Sequence, residues 1–189
     1  SNVTDMSNMF HTQSTFDQDI SGWDISSLTG NGMQGMFSNG VFNQPLNGWT
    51  LPSGVTSLEN MFSRSDYNQP LDNCDVSGIT NMRLLFWNAE FNQDISGWDV
   101  SNLTSMQAMF MGDQCKFNQP IGNWDTSSVN DMESMFYGNI IFDQDISTWP
   151  TTTPVSVDKM FRESTYNRPL PNWKIDGTDG NAMRDTFRD

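Results

Sequence analysis

A motif of 24–26 residues, repeated along the whole chain, constrains the possible folds more than any other feature of the sequence. Residues 91–110, FNQDISGWDVSNLTSMQAMF, show the motif best, and its leading aromatic returns at spacings of 26, 25, 24, 26, 25 and 24 residues. The leading aromatics are Phe16, Phe42, Tyr67, Phe91, Phe117, Phe142 and Tyr166. Such a period is typical of repeat proteins whose successive units stack on one another. The sequence therefore predicts a single repeat domain over residues 1–189 instead of two globular domains.

A tryptophan follows most leading aromatics at a distance of seven residues. The tryptophans are Trp23, Trp49, Trp98, Trp124, Trp149 and Trp173, and the third unit carries Cys74 instead. Because each unit of a stacked repeat contacts its neighbours, an aromatic that returns in every unit is expected to form a column of core side chains. The pattern therefore predicts a buried column, not a cofactor site.

The segment around each tryptophan predicts a short strand. Ile95, Trp98 and Val100 have the L-x-x-L-x-L spacing of leucine-rich repeats, which places a strand over residues 97–101. Alternation along a strand directs Trp98 and Val100 inward and Asp99 outward. The resulting candidate for an exposed binding face is Asp24, Asp75, Asp99, Asp125, Ser77 and Ser101.

The second half of each unit predicts a short helix. Thr104 and Gln107 have the spacing of a helix-capping box, as do Thr56 with Glu59 and Asn130 with Glu133. Met106, Met109 and Phe110 then lie at positions i, i+3 and i+4, which share one face of a helix. The predicted fold is therefore α/β. It is a right-handed, leucine-rich-repeat-like solenoid of about seven turns, with short parallel strands on one face and short helices on the other.

An Asn-Gln pair after the leading aromatic also repeats. The pairs are Asn43-Gln44, Asn68-Gln69, Asn92-Gln93 and Asn118-Gln119, with Asp-Gln at residues 17–18 and 143–144. Because stacked amides can hydrogen-bond from unit to unit, this repetition predicts a structural ladder and not a catalytic amide.

Composition limits the classes of function. The chain has 9 basic and 23 acidic residues, a formal charge of −14, which argues against nucleic acid or an anionic membrane as a partner. No apolar run is long enough for membrane insertion. The two cysteines are expected to remain unpaired, with Cys74 a small buried residue and Cys115 a loop residue. With a single histidine, His11, and no catalytic triad or zinc cluster, we expect no enzyme activity, cofactor or metal.

Two surface features are candidates for function. Asp75, Asp99 and Asp125 occupy the same position in three consecutive units, where their repulsion is expected to be tolerated through solvent and hydrogen bonds; a bound calcium ion is the alternative. Trp87, Met111 and Tyr137 depart from the consensus after the predicted helix and form a candidate exposed patch.

The ends of the sequence predict further contacts. Residues 1–10 resemble the second half of a unit, so we expect this chain to be a slice of a longer array. The hydrophobic ends at Met6, Met9, Phe10 and Phe187 would then be covered by flanking repeats or by end-to-end self-association.

The strings FNQDISGWDVSNLTSMQAMF and FNQPIGNWDTSSVNDMESMF resemble the repeats of BspA-type leucine-rich-repeat surface proteins. The resemblance covers the whole chain and carries the FNQ, W-D-V-S and M-x-x-M-F signatures. It implies an α/β solenoid on the exterior of a bacterium, another microbe or a virus, at the cell surface or secreted. It also implies adhesion to a host or matrix protein or to a glycan, but it transfers no binding residue. A structural spacer or assembly-forming surface scaffold without a specific ligand is the alternative function.

Overall fold

The computed structural model describes residues 2–149, 155–171 and 173. We number the units by their leading aromatics, so that unit 4 is residues 91–116 and unit 5 is residues 117–141. Backbone hydrogen bonds join the corresponding segments of neighbouring units, offset by one residue. The N–H of Phe86 donates to the carbonyl of Met109, and the N–H of Phe110 donates to the carbonyl of Met135, both at 3.0 Å. The backbone therefore shows the unit-on-unit stacking that the period predicted.

The core consists of aromatic and aliphatic columns that run from unit to unit. Each leading aromatic stacks on the phenylalanine that ends the M-x-x-M-F segment before it, as Phe117 does on Phe110 with ring centroids 3.8 Å apart. Phe110 in turn lies 5.9 Å from Phe136 of the next unit. Offset stacking of this kind contributes beyond simple burial. One continuous column of phenyl rings therefore connects the units.

The tryptophans form a second column. Trp98, Trp124 and Trp149 stack at centroid distances of 6.4 and 6.3 Å. Trp98 and Trp124 are 5% and 3% exposed, so their predicted burial is confirmed. Each indole also donates a hydrogen bond to a carbonyl of the preceding unit, as Trp124 Nε1 does to Ile95 at 3.1 Å. Trp23 differs, because it is 38% exposed.

The predicted strand over residues 97–101 is wrong. Reverse turns occupy residues 96–97 and 101–102, and two of the N–H groups that a ladder would need are used within the unit. The Trp98 N–H donates to the Ile95 carbonyl at 3.1 Å, and the Ser101 N–H donates to Asp99 Oδ1 at 3.0 Å. A side chain that captures a backbone donor in this way competes with sheet formation.

Among the described residues, β-sheet pairing between units occurs only as isolated parallel bridges. They lie at a different place in the motif from the predicted strand. The bridges are Gly30↔Val55, Ser57↔Asn81, Asn81↔Ser105, Ser105↔Asp131 and Asp131↔Ser156. All but the first lie immediately before the M-x-x-M-F segment, and Gly30 and Val55 lie three residues before it.

The predicted helix over the M-x-x-M-F segment is also wrong, and no helix occurs in the described residues. The Met109 N–H donates to Met106 at 3.2 Å, a reverse turn, whereas the Ala108 N–H donates to Glu133 of the next unit at 2.8 Å. In an α-helix each N–H after the first turn would instead donate to the carbonyl four residues before it in the same chain segment. The residues at the position of Ala108 all have left-handed backbone conformation. They are Asn8, Gly35, Asn60, Leu84, Ala108, Ser134 and Lys159.

These two findings overturn the α/β, leucine-rich-repeat-like solenoid. The spacing i, i+3, i+4 is satisfied by consecutive reverse turns, which also direct Met106, Met109 and Phe110 into the core. The turns are favoured over a helix because alternate N–H groups can then bond to the neighbouring unit.

The predicted capping residues are shifted by one position. The Glu59 N–H donates to Ser57 Oγ at 3.2 Å, and the Glu133 N–H donates to Asp131 Oδ1 at 3.1 Å. Thr104, which was expected to cap, instead donates its hydroxyl to the Thr80 carbonyl of the preceding unit at 2.9 Å. Capping side chains therefore close reverse turns here, and the threonines join units.

Ser134 provides a test of the left-handed turn. Its φ is 57°, and the equivalent residue of unit 1 is Gly35 with φ 60°. Left-handed backbone costs a residue with a Cβ about 1–2 kcal/mol, which exceeds the entropic cost of glycine of roughly 0.5–1 kcal/mol. We therefore expect Ser134→Gly to raise the free energy of unfolding by about 0.5–1 kcal/mol in urea denaturation.

The matched control is Ser134→Ala. In a helix, alanine would stabilise the protein and glycine would destabilise it relative to serine. In the observed turn only glycine gives a gain. A free energy of unfolding that ranks alanine above serine and serine above glycine would contradict the turn.

Candidate interaction surfaces of the repeat stack

The Asn-Gln pairs form a hydrogen-bonded ladder along one edge of the stack. Asn92 Oδ1 accepts from the backbone N–H of Asn118 at 2.9 Å and from Gln119 Nε2 at 3.2 Å. The backbone N–H of Asn92 itself donates to Asn68 Oδ1 of the preceding unit at 2.9 Å. The predicted structural ladder is therefore confirmed in these units. Each asparagine receives two donors of the next unit and so fixes the spacing between them.

Aspartate replaces asparagine at two rungs. Asp17 accepts the Asn43 N–H at 2.8 Å, which is the same contact that an asparagine makes. Asp143 is bound by Arg168 through Nε at 2.9 Å and Nη2 at 3.1 Å, a bidentate ion pair. Sequence reasoning missed Arg168. Its position in the motif could have identified it, because Arg168 lies two residues after Tyr166, where the other units carry glutamine.

The ladder predicts unequal effects of two substitutions at Asn92. Asn92→Ala leaves the Asn118 N–H without its partner, which costs about 1–3 kcal/mol for a group shielded from water. Asn92→Asp keeps the acceptor oxygen, as Asp17 does in unit 1. In thermal unfolding we expect alanine to lower Tm by several degrees more than aspartate. Equal losses would show that Asn92 acts through packing and not through its carbonyl oxygen.

The candidate aspartate face is exposed to solvent. Asp24, Asp75, Asp99 and Asp125 are all exposed, and Ser77 and Ser101 are half-buried. Asp75, Asp99 and Asp125 interact electrostatically along the column, whereas unit 2 carries Thr50 at this position and separates Asp24 from them.

Local hydrogen bonds stabilise the charged form of these carboxylates. The Ser101 hydroxyl and then its backbone N–H lower the pKa of Asp99, and the neighbouring Asp75 raises it only slightly. Ser127 lowers the pKa of Asp125 in the same way. The hydrogen bonds that each aspartate accepts within its own turn therefore outweigh the repulsion between neighbouring aspartates.

Acidification provides a test of these turns. The folded pKa values lie below the unfolded value of about 3.9, so their contribution is present above pH about 4 and is lost as pH falls through the folded pKa. We expect the Tm of the wild type to fall in acid more steeply than that of a triple Asp75→Asn, Asp99→Asn, Asp125→Asn variant. Asparagine still accepts the serine N–H but does not titrate.

The wild type and the triple variant, compared by differential scanning calorimetry, also test whether the aspartate column binds calcium. If the column holds no cation, calcium chloride should change the Tm of the wild type no more than sodium chloride of equal ionic strength. A rise specific to calcium that the triple variant lacks would support a cation site. Parallel acid profiles of the two proteins would contradict the proposed role of the turns.

Trp87, Met111 and Tyr137 lie one above another in units 3, 4 and 5, and we call them the ridge. Neighbouring backbone bonds keep them in register: the Asn88 N–H donates to Met111 at 2.9 Å and the Gly112 N–H to Tyr137 at 2.6 Å. All three side chains are half-buried. The structure thus brings the three patch residues together along one edge.

Charged groups flank the ridge. The guanidinium of Arg64 lies over the Trp87 ring at 5.1 Å, and that of Arg162 lies 6.0 Å from the Tyr137 ring. The Tyr137 hydroxyl donates to Glu163 at 2.8 Å. Cation–π contacts near the surface contribute about 0.5–1 kcal/mol each. The arginines were not foreseen, because they belong to units adjacent to the rings they contact.

The two thiols are free, and Cys115 lies in a connecting segment as the sequence predicted. Cys115, expected in a loop, is 1% exposed and its Sγ lies 3.8 Å from the Phe86 carbonyl. Cys74, expected in the core, is half-buried. Burial raises the pKa of Cys74 to about 11 and that of Cys115 to about 12. Both thiols are therefore protonated at neutral pH and are weak nucleophiles.

The single histidine, His11, makes one side-chain contact. His11 Nδ1 lies 2.6 Å from the Ser38 hydroxyl at an exposed position. No group of three or more His, Cys, Asp or Glu side chains in the described part of the chain could hold a metal ion. The same residues contain no helix with the length and apolarity of a membrane span.

Of the predicted hydrophobic ends, Met6 is buried, Met9 is exposed, Phe10 is partly buried, and Phe187 lies outside the described residues.

The stacked units and their amide ladder define a repeat protein. The family model described as "Mycoplasma protein of unknown function, DUF285" matches residues 1–91 and 86–189. The chain therefore belongs to the DUF285 family. No curated protein and no solved structure matches it.

Proposed function

We propose that the chain is a non-catalytic binding module that contacts another protein through the ridge. The observation that carries this proposal is the alignment of Trp87, Met111 and Tyr137 at a position where units 1 and 2 have the buried Ser38 and Ser63. Aromatic residues and methionine are enriched in protein interfaces. Three large, half-buried side chains in consecutive units thus supply apolar surface along one edge of the stack.

The ridge also has the rigidity that binding favours. Its backbone is fixed by hydrogen bonds to neighbouring units, and Arg64 and Arg162 lie against two of its rings. Side chains held in place before association lose less entropy when a partner binds. The partner should present an apolar pocket with acidic groups at its rim, which the two arginines would complement.

The resemblance to BspA-type surface proteins gives this proposal its biological setting. We infer a cell-surface or secreted module, with a host or matrix protein as the first class of partner and a glycan as the second. The net charge of −14 favours protein over nucleic acid.

Serine substitution tests the ridge with a residue that the chain already uses at this position. A triple Trp87→Ser, Met111→Ser, Tyr137→Ser variant is compared with the wild type on purified matrix proteins and a glycan array. Binding of the wild type to one of these should be at least tenfold weaker in the variant, because interface aromatics commonly contribute about 2 kcal/mol or more. The Tm of both proteins is measured to confirm that the variant is folded.

The control is the triple Asp75→Asn, Asp99→Asn, Asp125→Asn variant, which changes the aspartate face and leaves the ridge intact. We expect it to bind as the wild type does. Loss of binding in this variant alone would assign recognition to the aspartate face. Absence of binding by the wild type to every probe would instead favour the spacer function.

A structural spacer that associates with other copies is the second candidate. It is favoured by the apolar side chains near the first described residues, where Val3 is 44%, Met9 51% and Trp23 38% exposed. Exposed apolar groups favour association. Light scattering over a range of concentrations should then show assemblies that a Met9→Ser, Trp23→Ser variant does not form.

A further inference from the structure

The ridge has the same order of side-chain types in both directions along the stack. Met111 in unit 4 lies between Trp87 in unit 3 and Tyr137 in unit 5, so an aromatic residue stands on each side of a methionine. Each of the three directly follows the phenylalanine that ends an M-x-x-M-F segment, and all three are half-buried. A surface with this symmetry can pack against an identical surface that is turned end for end.

An unpaired positive charge stands at one end of the ridge. Arg64 belongs to unit 2 and is exposed, and its guanidinium lies over the Trp87 ring at 5.1 Å. It makes no ion pair within the part of the chain that the structure describes. The charge of Arg64 is therefore available to a partner.

Glu163 presents the complementary charge at the other end. It belongs to unit 6 and occupies the same position of the motif as Arg64. Its Oε1 accepts the Tyr137 hydroxyl at 2.8 Å and lies 3.5 Å from Arg162 Nε. The Glu163 side chain is 50% exposed and that of Arg162 is 32% exposed, so the carboxylate is the more accessible group of this pair. The two aromatic ends of the ridge are therefore flanked by opposite exposed charges.

The column four residues before the ridge has a matching arrangement. It contains Arg83 in unit 3, Gln107 in unit 4 and Glu133 in unit 5, and Gln107 is hydrogen-bonded to both of its neighbours. The unit 4 residue is again uncharged, and the charges on its two sides are opposite. The outer members of this column, Glu59 and Asp158, are both acidic, but each pairs with a cation of its own chain.

Charge selects one of the two ways in which two ridges can meet. If both stacks run in the same direction, Arg64 opposes Arg64 of the second copy and Glu163 opposes Glu163. If one stack is reversed about unit 4, Arg64 faces Glu163 of the other copy at both ends of the contact. Arg83 then stands at the level of Glu133. Because like charges that meet in an interface are strongly disfavoured, the reversed arrangement is favoured.

We propose that the ridge binds the ridge of a second copy of this chain, in a two-fold dimer whose stacks run in opposite directions. Met111 lies at the two-fold axis, and Trp87 of each copy packs on Tyr137 of the other. Arg64 of each copy faces Glu163 of the other. Pairs of aromatic rings contribute beyond their buried area, and methionine adapts to irregular surfaces.

This inference rests on the proposed function, because it names a second copy as a partner of the same ridge. The contact involves one edge of five units, a small interface for which reversible association is expected. Both copies use the same surface in a two-fold contact, so assembly through the ridge stops at two. Dimerisation therefore covers the ridge in concentrated protein and leaves it available to another protein in dilute protein.

Sedimentation velocity of the wild type, from micromolar to near-millimolar concentration, tests the dimer. We expect a shift from monomer to dimer as the concentration rises. The Trp87→Ser, Met111→Ser, Tyr137→Ser variant should stay monomeric over the same range, with its Tm measured to confirm that it is folded. A wild type that is monomeric throughout, or a folded triple variant that dimerises equally well, would overturn the proposal.

The Met9→Ser, Trp23→Ser variant separates the ridge dimer from end-to-end association. It leaves the ridge intact and should dimerise as the wild type does. Association that this variant loses and the ridge variant retains would place the contact at the end of the stack and refute the ridge dimer.

Charge reversal tests the orientation with substitutions at two exposed positions. Arg64→Glu alone and Glu163→Arg alone each make like charges meet twice, so each should weaken dimerisation about tenfold. The variant that carries both substitutions has the net charge of the wild type and exchanges the two charges. It should dimerise within about threefold of the wild type, because opposite charges face each other again.

Mixing provides a second readout from the same variants. Equal amounts of the Arg64→Glu and Glu163→Arg proteins should form a mixed dimer about as readily as the wild type forms its own, because opposite charges then meet at both ends. Single variants that dimerise as well as the wild type, or a double variant that does not recover, would refute the contact between Arg64 and Glu163.

Binding to matrix proteins, measured on dilute wild type, separates this inference from the proposed function. Dimerisation through the ridge without binding to any matrix protein supports the dimer and contradicts the matrix-protein partner. Binding to a matrix protein by a chain that stays monomeric at every concentration supports the proposed function and overturns the dimer. Where both occur, saturating matrix protein should dissociate the dimer, and a dimer that persists would contradict a shared ridge.

Discussion

The structure depends on hydrogen bonds that connect each unit to the next one. Alternate N–H groups of the M-x-x-M-F segment leave their own unit, as the Ala108 N–H does to reach Glu133. The asparagine ladder does the same with side chains, and the indoles do so within the core. Because a lone unit would leave these donors unsatisfied, a unit should not be stable by itself.

This dependence explains why the surface is regular and where it can vary. Positions that bond across units, such as Asn92, tolerate only residues that offer the same acceptor, and aspartate appears there in units 1 and 6. Positions whose side chains make no repeated bond between units are less restricted, so Trp87, Met111 and Tyr137 stand where units 1 and 2 have Ser38 and Ser63. Cys74 is a third case, because a core residue has changed while its turn and neighbours have not. Function is therefore most readily sought at such departures from the repeat.

The sequence predicted the columns correctly and the secondary structure incorrectly. Burial of Trp98 and the amide ladder followed from repetition, since identical residues in stacked units must meet one another. The helix was wrong because Met106, Met109 and Phe110 can reach the core from consecutive turns as well as from a helix. The strand was wrong because Asp99 takes up the Ser101 N–H, a competition that residue spacing does not reveal. Of the candidate sites, the ridge was visible as a deviation from consensus, but the arginines beside it were not.

The sequence by itself determined the period, the residues that form each column and the position where the tryptophan column is interrupted. Only the tertiary structure decided how the backbone satisfies its hydrogen bonds. A repeat identifies which residues are equivalent, but the direction of each N–H depends on left-handed residues such as Ala108 and Ser134, whose conformation their identities do not specify. The structure also decided how the layer at Cys74 is closed, because Leu46, Trp49 and Leu71 leave only small cavities there and Trp98 beyond them is 5% exposed.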